Sequence, residues 1–362
     1  MKKLMYLGLL SIAAMSVITL SSCNPDEFKI ALITDVGEID DKSFNQGTWE
    51  GIKAYAEEND ISHTYYKPEV QSTTAYVAAI DLAVAGGAEI IVTPGYLFEE
   101  PIFLVQDTYP NVDFVLIDGT PHNADYSEFR TEENVQPILF AEQQAGFLAG
   151  YGAVMEGFRS LGFMGGMPFP AVVRFGMGFV VGANVAAAEL DVDVTMKYHY
   201  TGGFSATPEV QTKAATWYQQ GVDAIFACGG SLGQSVMAAA EIEHGKVIGV
   251  DVNQSADSET VITSAMKMLG VAVQLALTDH FDGTWDGGTT WTLDASNDGI
   301  GLPTDTESFR FEEWTLAEYQ ALYDDLADGT IVVTVDIEQG VDAATLATFD
   351  ATLDNVTITF EA

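Results

Sequence analysis

The chain has 362 residues, more than one compact core usually accommodates, so its length suits two domains. Hydrophobic residues make up 48% of the chain, and 53 acidic residues stand against 14 basic ones, a formal net charge of −39. A surface of this sign repels nucleic acid and anionic lipid headgroups, and we therefore predict a protein without a nucleic-acid partner.

The first residues have the organisation of a bacterial secretion signal. Lys2 and Lys3 form a positive start, and an apolar stretch follows from Leu4 to Leu20. Small residues then precede Cys23, as at a lipoprotein signal-peptidase site. We predict that residues 1–22 are a lipoprotein signal peptide and that Cys23 carries lipid. The mature protein is then anchored at the extracytoplasmic face of a bacterial membrane.

An ordinary signal peptide with a chance cysteine, or an uncleaved membrane anchor, is the alternative for this segment. No later segment is expected to be both long and apolar enough to span a bilayer. The chain has one further cysteine, Cys228, so a disulfide framework is not expected. We predict that Cys228 is a small buried residue.

The chain after Cys23 alternates short β-rich runs with runs of helical spacing. This alternation predicts parallel sheets that are covered by helices on both faces, an α/β fold. The predicted strands of the first half are 28–33, 89–92 and 113–117, and its predicted helices are 46–59, 76–85 and 146–155. The pattern then restarts, with predicted strands at 160–164, 192–200, 224–227 and 246–250 and a helix from about residue 175.

The C-terminal part is predicted to contain a helix over 314–327 and two strands, 330–335 and 356–360, which we expect to pack on a domain edge. The two α/β halves that precede it share one plan. Ligands of open α/β sheets bind at the carboxyl ends of the strands, so two such halves facing each other predict a cleft between lobes.

The loop from Thr34 to Gln46 leaves a predicted strand and enters a predicted helix. Ser43 and Asn45 are candidates to cap that helix. Phe44 stands near the helix start, where an aromatic ring has no obvious reason to be buried. We interpret Phe44 as a residue that stacks on a planar ligand, and the alternative is a hydrophobic staple of the helix.

Several short stretches along the chain match one known family in sequence and in order. They are Asp35-Val36-Gly37, Asp40 to Gln46, Trp49-Glu50-Gly51, Leu116 to Gly119, Glu142 to Tyr151, Gly162 to Met167, Gly229-Gly230, Ile248 to Gln254 and Thr263 to Lys267. Together they closely resemble the basic membrane protein (Bmp/PnrA-like) family of purine-nucleoside-binding lipoproteins. The resemblance runs from the residues around Cys23 to about residue 335.

The resemblance implies a two-domain type I periplasmic-binding-protein fold that closes on its ligand. It implies capture of a purine nucleoside for an ABC permease and its ATPase, with no catalysis and no cofactor. We divide the chain accordingly. The N-terminal lobe is expected to comprise 27–138 and 257–287, the C-terminal lobe 139–256 and 288–335, and a C-terminal extension 336–362.

The same resemblance assigns ligand-binding roles by position. The base is expected to stack on Phe44 and, on its other face, on Phe204, with Phe175 as the competing candidate. Carboxylates of Asp35 and Asp118 would accept hydrogen bonds from the base, and the ribose would meet Gly229, Gly230, Asp251 and Lys267. The full set of expected ligand-binding residues is Asp35, Phe44, Asn45, Asp118, Phe204, Gly229, Gly230, Asp251 and Lys267. In the alternative interpretation, Asp251 is a turn or cap residue and Lys267 is a solvated helix residue.

Other functions stay open at this point. The segment from Gly229 to Gly233 fits the Gly-x-Ser-x-Gly pattern of α/β hydrolases, with Ser231 as nucleophile and Asp251 and His280 following in the order of such enzymes. A ligand sensor, or a binding protein for riboflavin or a sugar, would share the fold. The five histidines show no metal-ligand spacing, and we interpret 294–299 as a surface turn rather than a calcium loop, so no metal is predicted.

Overall fold

The computed structural model describes residues 28–335, 345, 348, 349 and 352–361. The signal peptide and Cys23 lie outside the described residues, as does most of 336–351. In chain order, the strands are β1 (Ile30–Ile33), β2 (His63–Tyr66), β3 (Ile90–Pro94), β4 (Asp113–Ile117), β5 (Val135–Phe140), β6 (Ser160–Gly165), β7 (Val194–Tyr200), β8 (Ala224–Cys228), β9 (Lys246–Asp251), β10 (Val261–Lys267), β11 (Trp291–Leu293), β12 (Ile300–Gly301) and β13 (Val356–Phe360). The α-helices are α1 (Phe44–Glu58), α2 (Thr73–Ala85), α3 (Glu99–Val105), α4 (Glu142–Met155), α5 (Pro170–Leu190), α6 (Pro208–Gln219), α7 (Leu232–Glu243), α8 (Leu269–Asp282) and α9 (Leu316–Ala327).

The strands form two sheets, and each sheet with its helices is one lobe. The first sheet has the order β11-β5-β4-β3-β1-β2, and all of its strands pair in parallel. The second has the order β12-β10-β9-β8-β6-β7-β13 and is parallel except for the β10–β12 pair. The expected α/β fold with parallel sheets and a cleft between lobes is therefore the one observed.

Within residues 28–335 the chain crosses between the lobes three times, and these crossings differ from the expected boundaries. Strand β5 continues to Phe140 in the first sheet, past the expected boundary at 138. Residues 261–267 were expected in the N-terminal lobe, but they form β10, which pairs with β9 in the second sheet. Strand β11 was expected in the C-terminal lobe, but it pairs with β5 in the first. Strand pairing decides lobe membership, and it depends on contacts far apart in the chain.

Strand β13 belongs to the expected C-terminal extension and is the outer strand of the second sheet, beside β7. The prediction that 356–360 forms a strand at a domain edge is therefore confirmed. The prediction of a strand at 330–335 is wrong. That stretch is rich in β-branched residues, but it is irregular, and Val332 is 73% exposed. A stretch of high β propensity does not form a strand without a neighbouring strand to pair with.

Helices α4 and α5 pack so closely that their backbones touch, because glycines line the contact. A Cβ atom at Gly146 or Gly150 would lie about 2 Å from a carbonyl oxygen of α5, and one at Gly178 or Gly182 as close to a carbonyl oxygen of α4. Helix α5 is also long and apolar enough to cross a membrane, contrary to the expectation of no such segment. Since most of it is buried against the rest of the protein, its apolar composition is that of a core helix.

Candidate functional site

A cleft of about 890 Å³, part of it open to solvent, lies where the carboxyl ends of the strands of one sheet face those of the other. The structure brings all nine expected ligand-binding residues to this one cleft, although they come from seven separate stretches of the chain. These residues are Asp35, Phe44, Asn45, Asp118, Phe204, Gly229, Gly230, Asp251 and Lys267.

The loop between β1 and α1 is organised by Asp41, a residue that was not expected in the site. Its carboxylate accepts hydrogen bonds from the backbone N–H groups of Ser43, Asn45 and Gln46, at the start of α1, although the N-cap residue itself is Ser43. Neither Ser43 nor Asn45 caps the helix with its own side chain, contrary to the prediction. Both side chains are thereby available for other contacts in the cleft.

Asn45 connects this cap to Asp35. The Nδ2 atom of Asn45 donates to Oδ1 of Asp35 at 3.0 Å and to Oδ2 of Asp41 at 3.0 Å, while the N–H of Gly37 donates to Asp35 at 2.8 Å. Burial raises the pKa of Asp35 to about 6, although these hydrogen bonds oppose the shift. The Oδ1 atom of Asn45 is buried and has no hydrogen-bond partner among the described residues, so the protein leaves this acceptor unsatisfied.

Lys267 occupies the centre of a buried ion cluster. Its Nζ atom lies 2.5 Å from Oδ2 of Asp118, 3.4 Å from Oδ1 of Asp251 and 3.7 Å from Oε1 of Glu142. The alternative of a solvated helix residue is wrong, because Lys267 ends strand β10 and is 4% exposed. Burial alone would lower the pKa of Lys267, but the three carboxylates raise it above its ordinary value, so the ammonium group stays charged.

Asp118 and Asp251 follow or end strands of different lobes and have the same backbone geometry. Their φ angles are 60° and 64°, in the left-handed region that few residues other than glycine and asparagine or aspartate adopt. The Oγ atom of Ser43 donates to Oδ2 of Asp251 at 2.5 Å, across the cleft. Burial raises the pKa of Asp118 despite the nearby Lys267, and the Oδ1 atom of Asp118 is buried without a hydrogen-bond partner among the described residues.

Glu142 and Arg174 complete the cluster and were missed from the sequence. Glu142 begins α4 and is fully buried, and Nε of Arg174 on α5 lies 2.6 Å from its Oε2 atom. Burial opposes ionisation, but Arg174 and Lys267 hold the pKa of Glu142 below its ordinary value. An arginine within an apolar helix of so acidic a chain was the available signal, because a charge at such a position needs a buried partner.

The aromatic side chains lie around this polar cluster. The Nζ atom of Lys267 lies 4.4 Å from the centroid of the Phe44 ring, so one region of that ring is already in contact with a cation. Phe175, the competing candidate for the second stacking ring, also lines the cleft, but it is 1% exposed and packs edge-on against Phe226 in the core. Phe204 also lines the cleft and is half-buried, so it is less covered by the protein than Phe175 is.

Glycine is required at positions 229 and 230 for a different reason from the expected approach of a sugar. A Cβ atom at Gly229 would lie 2.6 Å from the ring of Phe204, and one at Gly230 would lie 2.8 Å from its carbonyl oxygen. Both glycines also have positive φ angles, 137° and 49°. Close approach of the chain to Phe204 therefore requires them, whether or not a sugar lies beside them.

Two further aromatic residues of the cleft were not predicted. Tyr96 follows β3 in the first lobe, and Phe169 precedes α5 in the second. Their ring centroids lie 4.2 Å apart, and Phe169 lies 5.3 Å from Phe204. The signal in the sequence was a tyrosine or phenylalanine in each strand-end loop, but nothing local indicates that the two loops meet.

The arrangement expected of a hydrolase is absent around Ser231. Its Oγ atom lies 3.4 Å from the carbonyl oxygen of Phe204 and accepts from the N–H of Ala206. His280 instead contacts Asp113 at 2.6 Å, at the amino end of β4 in the other lobe. In the described part of the chain, no three His, Cys, Asp or Glu side chains are grouped to hold a metal ion. Residues 294–299 form a short helical turn that Asp294 and Asn297 cap.

The sequence profile of the Bmp family, described as PnrA-like substrate-binding proteins of ABC transporters, matches residues 28–320. The ABC transporter nucleoside-binding protein BmpA of Lactococcus lactis is 28% identical over 357 residues, covering 89% of this chain and 97% of the relative. Basic membrane protein B of Borreliella burgdorferi is 29% identical over 289 residues, covering 78% and 82%.

Solved structures agree at the level of the fold. A solute-binding protein of an ABC transporter system from Aeropyrum pernix superposes with a TM-score of 0.75 at 24% identity, covering 89% of this chain and 96% of the other. One from Conexibacter woesei gives 0.67 at 24% identity, covering 85% and 98%.

Proposed function

The chain belongs to the PnrA-like family of ABC transporter substrate-binding proteins, and we propose that it binds a purine nucleoside in the cleft and delivers it to an ABC permease. The nucleoside-binding relative from Lactococcus lactis supports the ligand class. The role is capture by closure of two lobes around a solute. The energy for import comes from the ATPase of the permease.

The observation that carries the proposal is the position of the Phe44 ring beside the cluster of Lys267, Asp118 and Asp251. A nucleoside has a planar base and a polar sugar joined by one bond, and this site offers an aromatic ring next to charged groups that can form hydrogen bonds. The buried Oδ1 atoms of Asn45 and Asp118 have no hydrogen-bond partner among the described residues. A ligand without hydrogen-bond donors would leave them unsatisfied, which costs binding free energy, so the site should favour a ligand that carries donors.

The proposed roles follow from this arrangement. The base lies between Phe44 and Phe204, and its N–H groups donate to Asp35, Asp118 and the free Oδ1 atom of Asn45. The ribose hydroxyls donate to Asp251 and accept from Lys267. When a ligand binds in this way, Lys267 exchanges part of its contact with the carboxylates for contact with the sugar.

The charge of the cleft favours an unphosphorylated ligand. Six carboxylates lie in or directly behind the cleft, while Lys267 and Arg174 are the cations of the cluster described above. A phosphate group would meet uncompensated negative charge in a partly desolvated site, where like charges repel strongly. The six carboxylates are those of Asp35, Glu38, Asp41, Asp118, Glu142 and Asp251.

Thermal unfolding with a panel of solutes tests the ligand class. Residues 24–362 contain every described element, and this protein should be unfolded and refolded first to remove any ligand that it carries. We expect inosine, guanosine or adenosine to raise the melting temperature, and their 5′-monophosphates to have a much smaller effect. A shift with riboflavin or ribose and none with nucleosides would keep the solute-binding role and refute the nucleoside.

Lipid anchoring through Cys23 is part of the same proposal. It rests on the basic, apolar and small-residue pattern before that cysteine. Mass spectrometry of the full chain expressed in a bacterium should find a diacylglyceryl group on Cys23. Replacing Cys23 with serine should release the protein from the membrane fraction, whereas an unmodified cysteine in the membrane-bound protein would contradict lipidation.

A further inference from the structure

The cleft has a buried, charged region and a less buried, aromatic region. Lys267 and Asp251 are 4% and 5% exposed, and they hold the polar cluster. Tyr96 and Phe169 line the same cleft but are only half-buried. The aromatic pair is therefore less buried than the polar cluster and lies nearer to solvent.

Tyr96 is held by the core of the first lobe. It begins a short helical turn that also contains Phe98, and Phe98 is fully buried with its ring 4.6 Å from that of Tyr76. Gly95, with a φ angle of 115°, sets the direction of the turn after β3. Phe98 therefore attaches the turn, and with it Tyr96, to the core of the first lobe.

Phe169 is held in the same way by the second lobe. Pro170 follows it as the first residue of α5, and a residue before proline is restricted to extended backbone. The observed angles of Phe169, φ −75° and ψ 154°, are of that kind. Its ring also contacts Phe204, so the three aromatic rings form a row from Tyr96 across the cleft to Phe204.

We propose that Tyr96 and Phe169 are specificity-determining residues of the cleft: their rings meet across the lobes, limit how far a ligand can extend outwards and slow its release. The two rings must separate before the lobes can part, since each belongs to a different lobe. The pair would act on any solute in the cleft, and the choice of nucleosides as probes rests on the proposed function.

Release rates test the proposal on residues 24–362. Dissociation of adenosine should be about 3- to 10-fold faster from Tyr96→Ala and from Phe169→Ala than from the unmodified protein, as expected for loss of one aromatic pair. Tyr65→Ala is the matched control, because Tyr65 is a 44% exposed aromatic residue of the first lobe that contacts Trp49 outside the cleft. Unchanged release from both cleft variants would overturn the proposal.

Ligand length gives a second readout that a loss of stability would not produce. Adenosine carrying a benzyl group on N6 and adenosine carrying one on the 5′ oxygen extend the ligand at opposite ends. For each protein we compare the affinity for the benzyl derivative with the affinity for adenosine. For at least one derivative, this ratio should be higher in the two alanine variants than in the unmodified protein. If neither gains, the rings do not limit ligand length.

A cross-link separates this inference from the nucleoside proposal. A short bismaleimide should join the cysteines of a Tyr96→Cys/Phe169→Cys variant within one chain, and should not do so in Tyr65→Cys/Phe169→Cys. Cross-linking without any nucleoside binding would refute the ligand class and leave the pair supported. Binding of adenosine without a cross-link would show that the two positions do not meet.

Discussion

Lys267 and Asp118 join the two lobes of the cleft by a hydrogen-bonded ion pair, with Nζ and Oδ2 2.5 Å apart. Lys267 ends β10 of the second sheet, and Asp118 follows β4 of the first. The pair is almost fully buried, and two further carboxylates, those of Asp251 and Glu142, lie within 4 Å of the same nitrogen. One cation thus holds together three acidic groups that would otherwise repel each other.

Removing that cation should destabilise the protein. We expect Lys267→Met to lower the free energy of unfolding by about 3–5 kcal/mol, because it leaves buried carboxylates without their partner. Urea denaturation measures the change. Lys29→Met is the control, since the Lys29–Glu89 pair is about half exposed on both sides and should contribute less than about 1 kcal/mol. Equal effects of the two substitutions would contradict the account of the cluster.

The Glu142–Arg174 pair should behave as a unit. Arg174→Met leaves the fully buried Glu142 without the guanidinium at 2.6 Å, and we expect a loss of several kcal/mol in unfolding free energy. Adding Glu142→Gln should recover a large part of that loss, because the unpaired charge is then removed as well. A double-mutant cycle by urea denaturation gives the coupling, and strictly additive effects would show that the pair is not coupled.

Asp35 should make stability depend on pH in a defined direction. Its pKa is about 6 in the folded protein against an ordinary value of 3.8, so the folded state binds the proton more tightly than the unfolded state. The resulting penalty is fully present above about pH 6 and absent below about pH 3.8. Asp35→Asn keeps an oxygen acceptor for Gly37 and should raise the melting temperature at pH 7.5, with a gain that shrinks towards pH 4.

The test is the difference in melting temperature between this variant and the unmodified protein across that range. Asp81→Asn is a control on an exposed carboxylate of the same lobe, whose substitution should show no comparable trend. A gain from Asp35→Asn that is constant from pH 4 to 7.5 would contradict the pKa assigned to Asp35.

The glycine contact between α4 and α5 should not tolerate a methyl group. At Gly182, a Cβ atom would lie 2.0 Å from the carbonyl oxygen of Phe147, so Gly182→Ala must push the two helices apart. We expect a loss of at least about 1–3 kcal/mol in unfolding free energy. Gly233→Ala in α7 meets no atom closer than 3.8 Å and should instead be neutral or stabilising by up to about 1 kcal/mol. The same sign at both positions would refute this explanation.

The C-terminal strand should stabilise the second lobe without contributing to the ligand site. Strand β13 covers the edge of β7, and Glu361 bonds Lys197 and Trp217 beside it. A chain ending at residue 335 should unfold at a lower temperature and self-associate more, because the edge of β7 is exposed. Its affinity for ligand should change less than about threefold, since β13 lies at the sheet edge beyond β7, away from β9 and β10. A large loss of affinity in a folded protein would contradict this separation.

Much of the fold could be predicted from local patterns. Buried parallel strands such as β1, β4 and β8 are continuous apolar runs that end in polar or glycine-rich turns, and they lie close to where the patterns placed them. The more polar strand β2 has no such pattern. Strand β10 was missed because the pattern of its polar residues, including Lys267, is as typical of the start of a helix as of a strand.

The site was predictable as a set of strand-end residues but not as a set of contacts. A family resemblance supplied nine residues, and all nine are among those that line the cleft. It gave no means to find that Glu142 is paired with Arg174, or that Tyr96 meets Phe169, because each contact joins elements far apart in the chain. The same limit explains the misplaced lobe boundaries around β10 and β11.

The most direct test of the proposed function is calorimetric titration of refolded residues 24–362 with inosine, guanosine and adenosine. We predict that at least one binds with a dissociation constant below about 1 µM, and that cytidine and ribose bind far more weakly. Phe44→Ala and Asp251→Ala should each weaken that binding by about tenfold or more. No measurable binding of any purine nucleoside, or binding that neither substitution weakens, would contradict it.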